Sequence, residues 1–159
     1  MIKVAGYLHD LGKLAVPAEV LRKPGRLNES EFNIIKSHTF YSYRVLEPLD
    51  ELYTINAWAS FHHERINGKG YPFGHKGADL PLGSRIMSVA DVFAALTEDR
   101  PYRAAMACGD ALGILENMVK EAALDRDIVA LLTQNPDEIY SICMAQGTSA
   151  LGDYRQLTV

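Results

Sequence analysis

Apolar residues recur at helical spacing along nearly the whole chain, and one stretch breaks that pattern at length. Residues 65–84 carry Gly68, Gly70, Pro72, Gly74, Gly77, Pro81 and Gly83. So many residues lacking either a Cβ or an N–H rule out regular structure there. The chain must therefore place helices on both sides of a long loop. Upstream, Ile2, Val4, Ala5, Leu8 and Leu11 predict a helix over 2–11 that brings His9 and Asp10 to its end. A loop marked by Pro17, Pro24 and Gly25 follows. Asn28 and Glu31 form a capping-box start for the next helix, which runs to about Leu46 and is stopped by Pro48. A further helix is expected over about 50–64. Helix resumes near Ser84 and runs to about Leu96, with Ile86, Val89, Ala90 and Phe93 on one face. Beyond the corner at Arg100, Pro101, Tyr102 and Arg103, helices are expected over about 108–123, 126–134 and 136–146. The fold class is all-α, and 159 residues suit a single domain.

With 48% hydrophobic and 23% charged residues, disordered and collagen-like chains are excluded. No apolar run approaches the roughly 18–20 residues of a transmembrane helix, and residues 1–6 lack the pattern of a signal peptide. Two cysteines, Cys108 and Cys143, are too few for a disulfide framework and read as small apolar residues in a reducing cytoplasm. A net charge of −4 gives no support to binding a nucleic-acid polymer. The charge is uneven. Residues 1–103 hold 13 basic against 12 acidic side chains, and residues 104–159 hold 3 against 8. All five histidines lie in the first half, so chemistry is expected there.

The ligand-type residues, in order, are His9, Asp10, His38, His62, His63 and Asp91. Imidazole and carboxylate suit Fe, Mn, Co, Ni or Zn. His38 shares a helix face with Ile34 and Ile35, which should point inward. Asp91 follows Val89 and Ala90 in an apolar segment, where an unpaired carboxylate is costly and a metal would offset the cost. Taken singly, His38 reads as a hydrogen-bonded core histidine and Asp91 as a paired carboxylate. Together, four histidines and two carboxylates exceed the three or four ligands of a mononuclear site. They suit two metals about 3.5–4 Å apart, with Asp10 bridging and the histidines divided between the ions. Such a pair activates water as a hydroxide nucleophile and clamps the attacking and leaving oxygens of a phosphoester. Lys13 lies one turn after His9, and Arg100 and Arg103 follow Asp91, so all three can reach phosphate oxygens at the same mouth. The plainer reading of each cation is a solvated surface charge.

Four motifs stand in a specific order: His9-Asp10-Leu11-Gly12-Lys13, His62-His63-Glu64-Arg65, Gly70-Tyr71-Pro72, and Asp91 through Arg103. Over about residues 4–106 this order closely resembles the HD-GYP family, the cyclic di-GMP-degrading branch of the HD metal-dependent phosphohydrolases. The resemblance implies an HD-type helical bundle with a long loop carrying Gly70-Tyr71-Pro72. It implies metal ligation by His9, Asp10, His38, His62, His63 and Asp91, and phosphate binding by Lys13, Arg100 and Arg103. Tyr71 would contact the ligand from the pocket border. Asp10 and Lys13 are the expected catalytic residues, and cyclic di-GMP the expected substrate, cut to pGpG or onward to GMP through a metal-bridged hydroxide. The metals implied are two divalent transition ions, Fe or Mn foremost, with Ni, Co or Zn also compatible.

Family members with a third metal take an acidic residue or histidine from a helix upstream of the His-Asp pair, and residues 1–8 contain neither Glu nor His. Two metals are therefore expected. A chain lacking that helix, and any sensor or receiver domain before it, is a fragment, a shortened member or one completed by a partner copy. Apolar surface left bare would favour a homodimer. Asn67 stands where family members often carry Asp. Two other functions compete: an HD phosphohydrolase acting on another nucleotide or cyclic dinucleotide, and a catalytically idle module that binds nucleotide or a partner protein.

Overall fold

A computed structural model describes residues 1–99, 104–143 and 145. Its architecture is all-α, as the periodicity predicts. Helix α1 spans Ile2–Leu8, and a 3-10 turn over Leu11–Ala15 leads to the short α2, Ala18–Leu21. The loop expected here thus contains a 3-10 turn and a single α-helical turn, each too short for apolar periodicity to reveal. Helix α3 spans Glu29–Leu46. Its start is a complete capping box: Asn28 accepts from the Glu31 N–H, and Glu31 accepts in return from the Asn28 N–H.

A 3-10 turn at Asp50–Leu52 runs into α4, Tyr53–Ser60. The helix expected to reach residue 64 ends four residues earlier, so His62 and His63 lie just beyond it. After the long loop, with its 3-10 turn at Gly77–Asp79, α5 runs over Leu82–Thr97 behind Pro81. Helices α6 (Cys108–Lys120) and α7 (Arg126–Gln134) follow, and helical structure continues over 136–143, here α8. Asp125 caps α7 by accepting from the Asp127 and Ile128 N–H groups. No described helix is long and apolar enough to cross a membrane.

Two apolar clusters hold the bundle. Ala5, Leu46, Ile55, Ala59 and Met87 join α1, α3, α4 and α5. Val89, Phe93, Ala111, Leu115, Leu124, Val129 and Leu132 join α5 to α6 and α7. Helix α5 is common to both, so Asp91 sits on the element that links the halves. Polar ties add direction. The Asn56 side chain donates to the Tyr43 carbonyl, and the Ser60 hydroxyl to Asn56 Oδ1, fixing α4 against α3.

The aromatic residues of α3 and α4 divide between interior and surface. Tyr43 stacks on Phe61 at 6.0 Å, whereas Tyr41 is exposed and Tyr53 is 80% exposed on the outer face of α4. His75 is half-buried between Phe61 and Phe73.

Candidate metal centre

Three elements are pinned together before any ligand is counted. The Gly12 N–H donates to Ser42 Oγ at 2.8 Å, and the Ser42 hydroxyl donates to the His9 carbonyl. This joins the 3-10 turn after α1 to the buried face of α3. A Cβ on Gly12 would lie 1.9 Å from the His38 carbonyl oxygen, so only glycine permits the approach. Asp10 and His38 thereby face each other, 28 residues apart in sequence.

The rings of His9, His38 and His62 share one local device. Each Nδ1 lies against the carbonyl three residues earlier: Gly6 at 2.7 Å, Ile35 at 2.6 Å and Ala59 at 2.6 Å. A carbonyl only accepts, so Nδ1 carries a proton in each ring, and in a neutral ring that leaves the lone pair on Nε2. Those Nε2 atoms converge. His9 Nε2 is 3.4 Å from Asp10 Oδ2 and 3.8 Å from Asp91 Oδ1, and His38 Nε2 is 3.4 Å from Asp10 Oδ1. His63 Nδ1 lies 3.8 Å from Asp91 Oδ2. The His62 and His63 rings are 4.0 Å apart, and His9 meets His62 edge-on at 4.9 Å.

This arrangement fits divalent metal. Among the described residues, the Nε2 atoms of His38 and His62 are buried without a hydrogen-bond partner, a costly state that a cation would relieve. Two triads, His38-His62-His63 and His9-Asp10-His62, each place ligand atoms within 4.8 Å of one another. Donors about 2.1 Å from one ion lie roughly 3–3.5 Å apart, close to the spacings seen between Asp10 and its two histidines. Asp10 directs one oxygen at His38 and the other at His9, as a bridging carboxylate would.

Electrostatics favour the ligating forms. Burial lowers the affinity of His38 for a proton. Burial and the neighbouring His63 push His62 down to about 3, and burial with His38 nearby does the same to His63. All three are neutral at pH 7. Burial opposes charge on Asp10, yet the Lys13 hydrogen bond at 2.5 Å and the adjacent imidazoles hold its carboxyl below the usual range. Burial, with Asp91 close by, raises the Tyr71 hydroxyl above its ordinary value, so it remains a donor.

All six expected ligands thus meet at one place, with Lys13 on Asp10 and Tyr71 beside His63 at 4.9 Å. Arg100 and Arg103 lie outside the described residues. Two neighbours escaped the sequence reading. Lys36 holds its ammonium 5.8 Å from the Tyr71 ring centre and 4.7 Å from that of Phe32. Its position two residues before His38 was the available signal. Glu64 is fully buried and accepts from the Phe73 and Gly74 N–H groups. Its place directly after the double histidine is the only signal the sequence offers.

A bundle in which a His-Asp pair, a lone histidine, a double histidine and a second aspartate converge is the arrangement of an HD domain. The family model described as HD domain matches residues 1–128, and the chain belongs to that family, in the HD-GYP branch its motifs indicate. It is 40% identical over 143 residues to the 3'3'-cGAMP-specific phosphodiesterase 1 of Vibrio cholerae, covering 90% of this chain and 33% of that protein. It is 44% identical over 117 residues to the cyclic di-GMP phosphodiesterase response regulator RpfG of Xanthomonas campestris, covering 72% and 31%. A cyclic di-GMP phosphodiesterase of Thermotoga maritima is 42% identical over 106 residues, covering 64% and 28%. The chain spans about a third of the length of these relatives.

Proposed function

We propose that the chain is a metal-dependent phosphodiesterase of cyclic dinucleotides, with His9, Asp10, His38, His62, His63 and Asp91 holding two divalent cations, Fe or Mn foremost. The observation that carries this reading is the pair of buried, unpartnered Nε2 atoms on His38 and His62, aimed at a cluster of neutral imidazoles and ionised carboxylate. Two bound cations would supply Lewis acidity and charge neutralisation to a phosphodiester.

The side chains supply the rest. Lys13 is only partly buried, so its ammonium can hold Asp10 in place while remaining open to a phosphate oxygen. Tyr71, neutral and beside His63, offers a hydroxyl donor and a ring face to the nucleotide. Arg100 and Arg103 complete the proposal as phosphate-binding forks. Cyclic di-GMP is the first substrate proposed. The relatives' names make 3'3'-cGAMP the competing one, since both kinds of phosphodiesterase resemble this chain at similar identity.

The test is turnover of each dinucleotide by protein purified without oxygen and supplied with Mn(II) or Fe(II), with products separated chromatographically. Asp10→Ala should abolish turnover and weaken Mn(II) binding by more than the roughly 10–100-fold that loss of an outer-shell partner costs. An active, metal-replete Asp10→Ala protein would sink the assignment. Two bound metals without turnover of either dinucleotide would favour another nucleotide substrate or the idle binding module instead.

A further inference from the structure

We propose that Glu64 is a positioning residue of this centre: its buried carboxylate clamps the loop at Phe73 and Gly74, and the clamped loop sets the His63 ring through Tyr71. The inference rests on the metal-centre reading above.

Three of the four imidazoles are oriented locally, each by a carbonyl three residues upstream. His63 is different. Among the described residues no hydrogen bond orients its ring, which touches instead the His62, His38 and Tyr71 rings. Its backbone is held from the loop as well, because the Tyr71 N–H donates to the His63 carbonyl at 3.2 Å. Tyr71 thus meets His63 through both ring and backbone.

Glu64 fastens the loop that carries Tyr71. Its side chain is 2% exposed, and Oε1 accepts from the Phe73 N–H at 2.7 Å and the Gly74 N–H at 3.0 Å. These two hydrogen bonds close a ring of chain from residue 64 to residue 74. The loop packs back onto its own root: a Cβ on Gly70 would lie 2.4 Å from Glu64 Cα and from the Arg65 nitrogen. The second oxygen, Oε2, is buried with no hydrogen-bond partner among the described residues.

Co(II) reports on its own ligands by visible absorption, so titrating Co(II) alone into the whole chain tests the clamp without substrate. Glu64→Ala should weaken Co(II) binding tenfold or more and change the absorption band, as loss of an outer-shell partner does. Glu64→Gln, whose side-chain carbonyl can replace Oε1, should largely restore both. A folded Glu64→Ala protein, judged by circular dichroism, with unchanged Co(II) affinity and band would overturn the proposal and assign Glu64 to stability alone. Should the alanine chain not fold, Tyr71→Ala removes the last link instead. It must shift the band, and an unchanged band overturns the proposal equally. Failure of the unaltered protein to bind Co(II) would overturn the metal-centre reading itself.

Discussion

Gly12 shows how one residue without a side chain can govern a site made of side chains. Its N–H holds Ser42, its missing Cβ lets the turn reach the His38 carbonyl, and Asp10 is delivered two residues upstream of that contact. Gly12→Ala would force backbone apart against backbone. A cost above the usual ~1–3 kcal/mol of overpacking is expected in thermal denaturation, with weaker Mn(II) binding in the protein that remains folded. A melting midpoint equal to that of the parent would contradict the close approach. The identity of the six candidate ligands was legible because only certain side chains offer nitrogen or oxygen donors in that order. Their orientation was not. The Nδ1 contact to Ile35 lies inside α3, whereas those to Gly6 and Ala59 form where the chain leaves α1 and α4, and periodicity does not say which carbonyl a ring will meet.

The loop between α4 and α5 is the element with the least regular structure and the most long-range ties. Besides the Glu64 clamp, the Ile66 N–H donates to the Ala123 carbonyl and the Asn67 N–H to the Ala122 carbonyl, binding the loop to the turn after α6. The Asn67 side chain uses both its ends: Nδ2 donates to the Glu121 carbonyl at 2.9 Å and Oδ1 accepts from the Lys69 N–H. The departure from the aspartate common in the family thus has a local reason, since a carboxylate cannot donate. Asn67→Asp would set an anionic oxygen against a carbonyl. It should lower stability by about 1 kcal/mol, read as a lower denaturation midpoint. No shift in the midpoint would show that the amide bond contributes nothing. Glycine and proline counts foretold that this segment is irregular, but not where it would be fastened, because its partners lie up to 57 residues away.

Taken over the whole molecule, the neutral histidines couple folding to pH. Unfolded imidazoles bind a proton near 6.5, whereas the fold holds His62 and His63 at about 3 and lowers His38. Between those values the unfolded chain binds more protons, so stability rises with pH there and nothing is lost above about pH 7. Metal-free protein should therefore weaken as pH falls below about 6.5. The loss approaches about 1.4 kcal/mol per pH unit for each histidine that stays neutral. Denaturant midpoints at pH 7.5 and pH 5.0 measure it, and equal midpoints would deny that these rings are buried and neutral. Adding Mn(II) at pH 7.5 should raise the midpoint by mass action and lose its effect on acidification, because ligand and proton compete for the same lone pairs.

The all-α class, the capped start of α3, the irregular loop and the set of donor residues were all determined by the sequence itself. Each follows from local backbone chemistry or from residue type, and needs no knowledge of what lies opposite. Tertiary structure alone decided that α4 stops at Ser60 and that Tyr53 faces solvent. It also decided that Asp10 splits its oxygens between His9 and His38, and that Glu64 turns inward to hold the loop. Those outcomes depend on contacts between residues far apart in the chain, where packing and hydrogen-bond satisfaction choose among conformations that local propensity leaves nearly equal in energy.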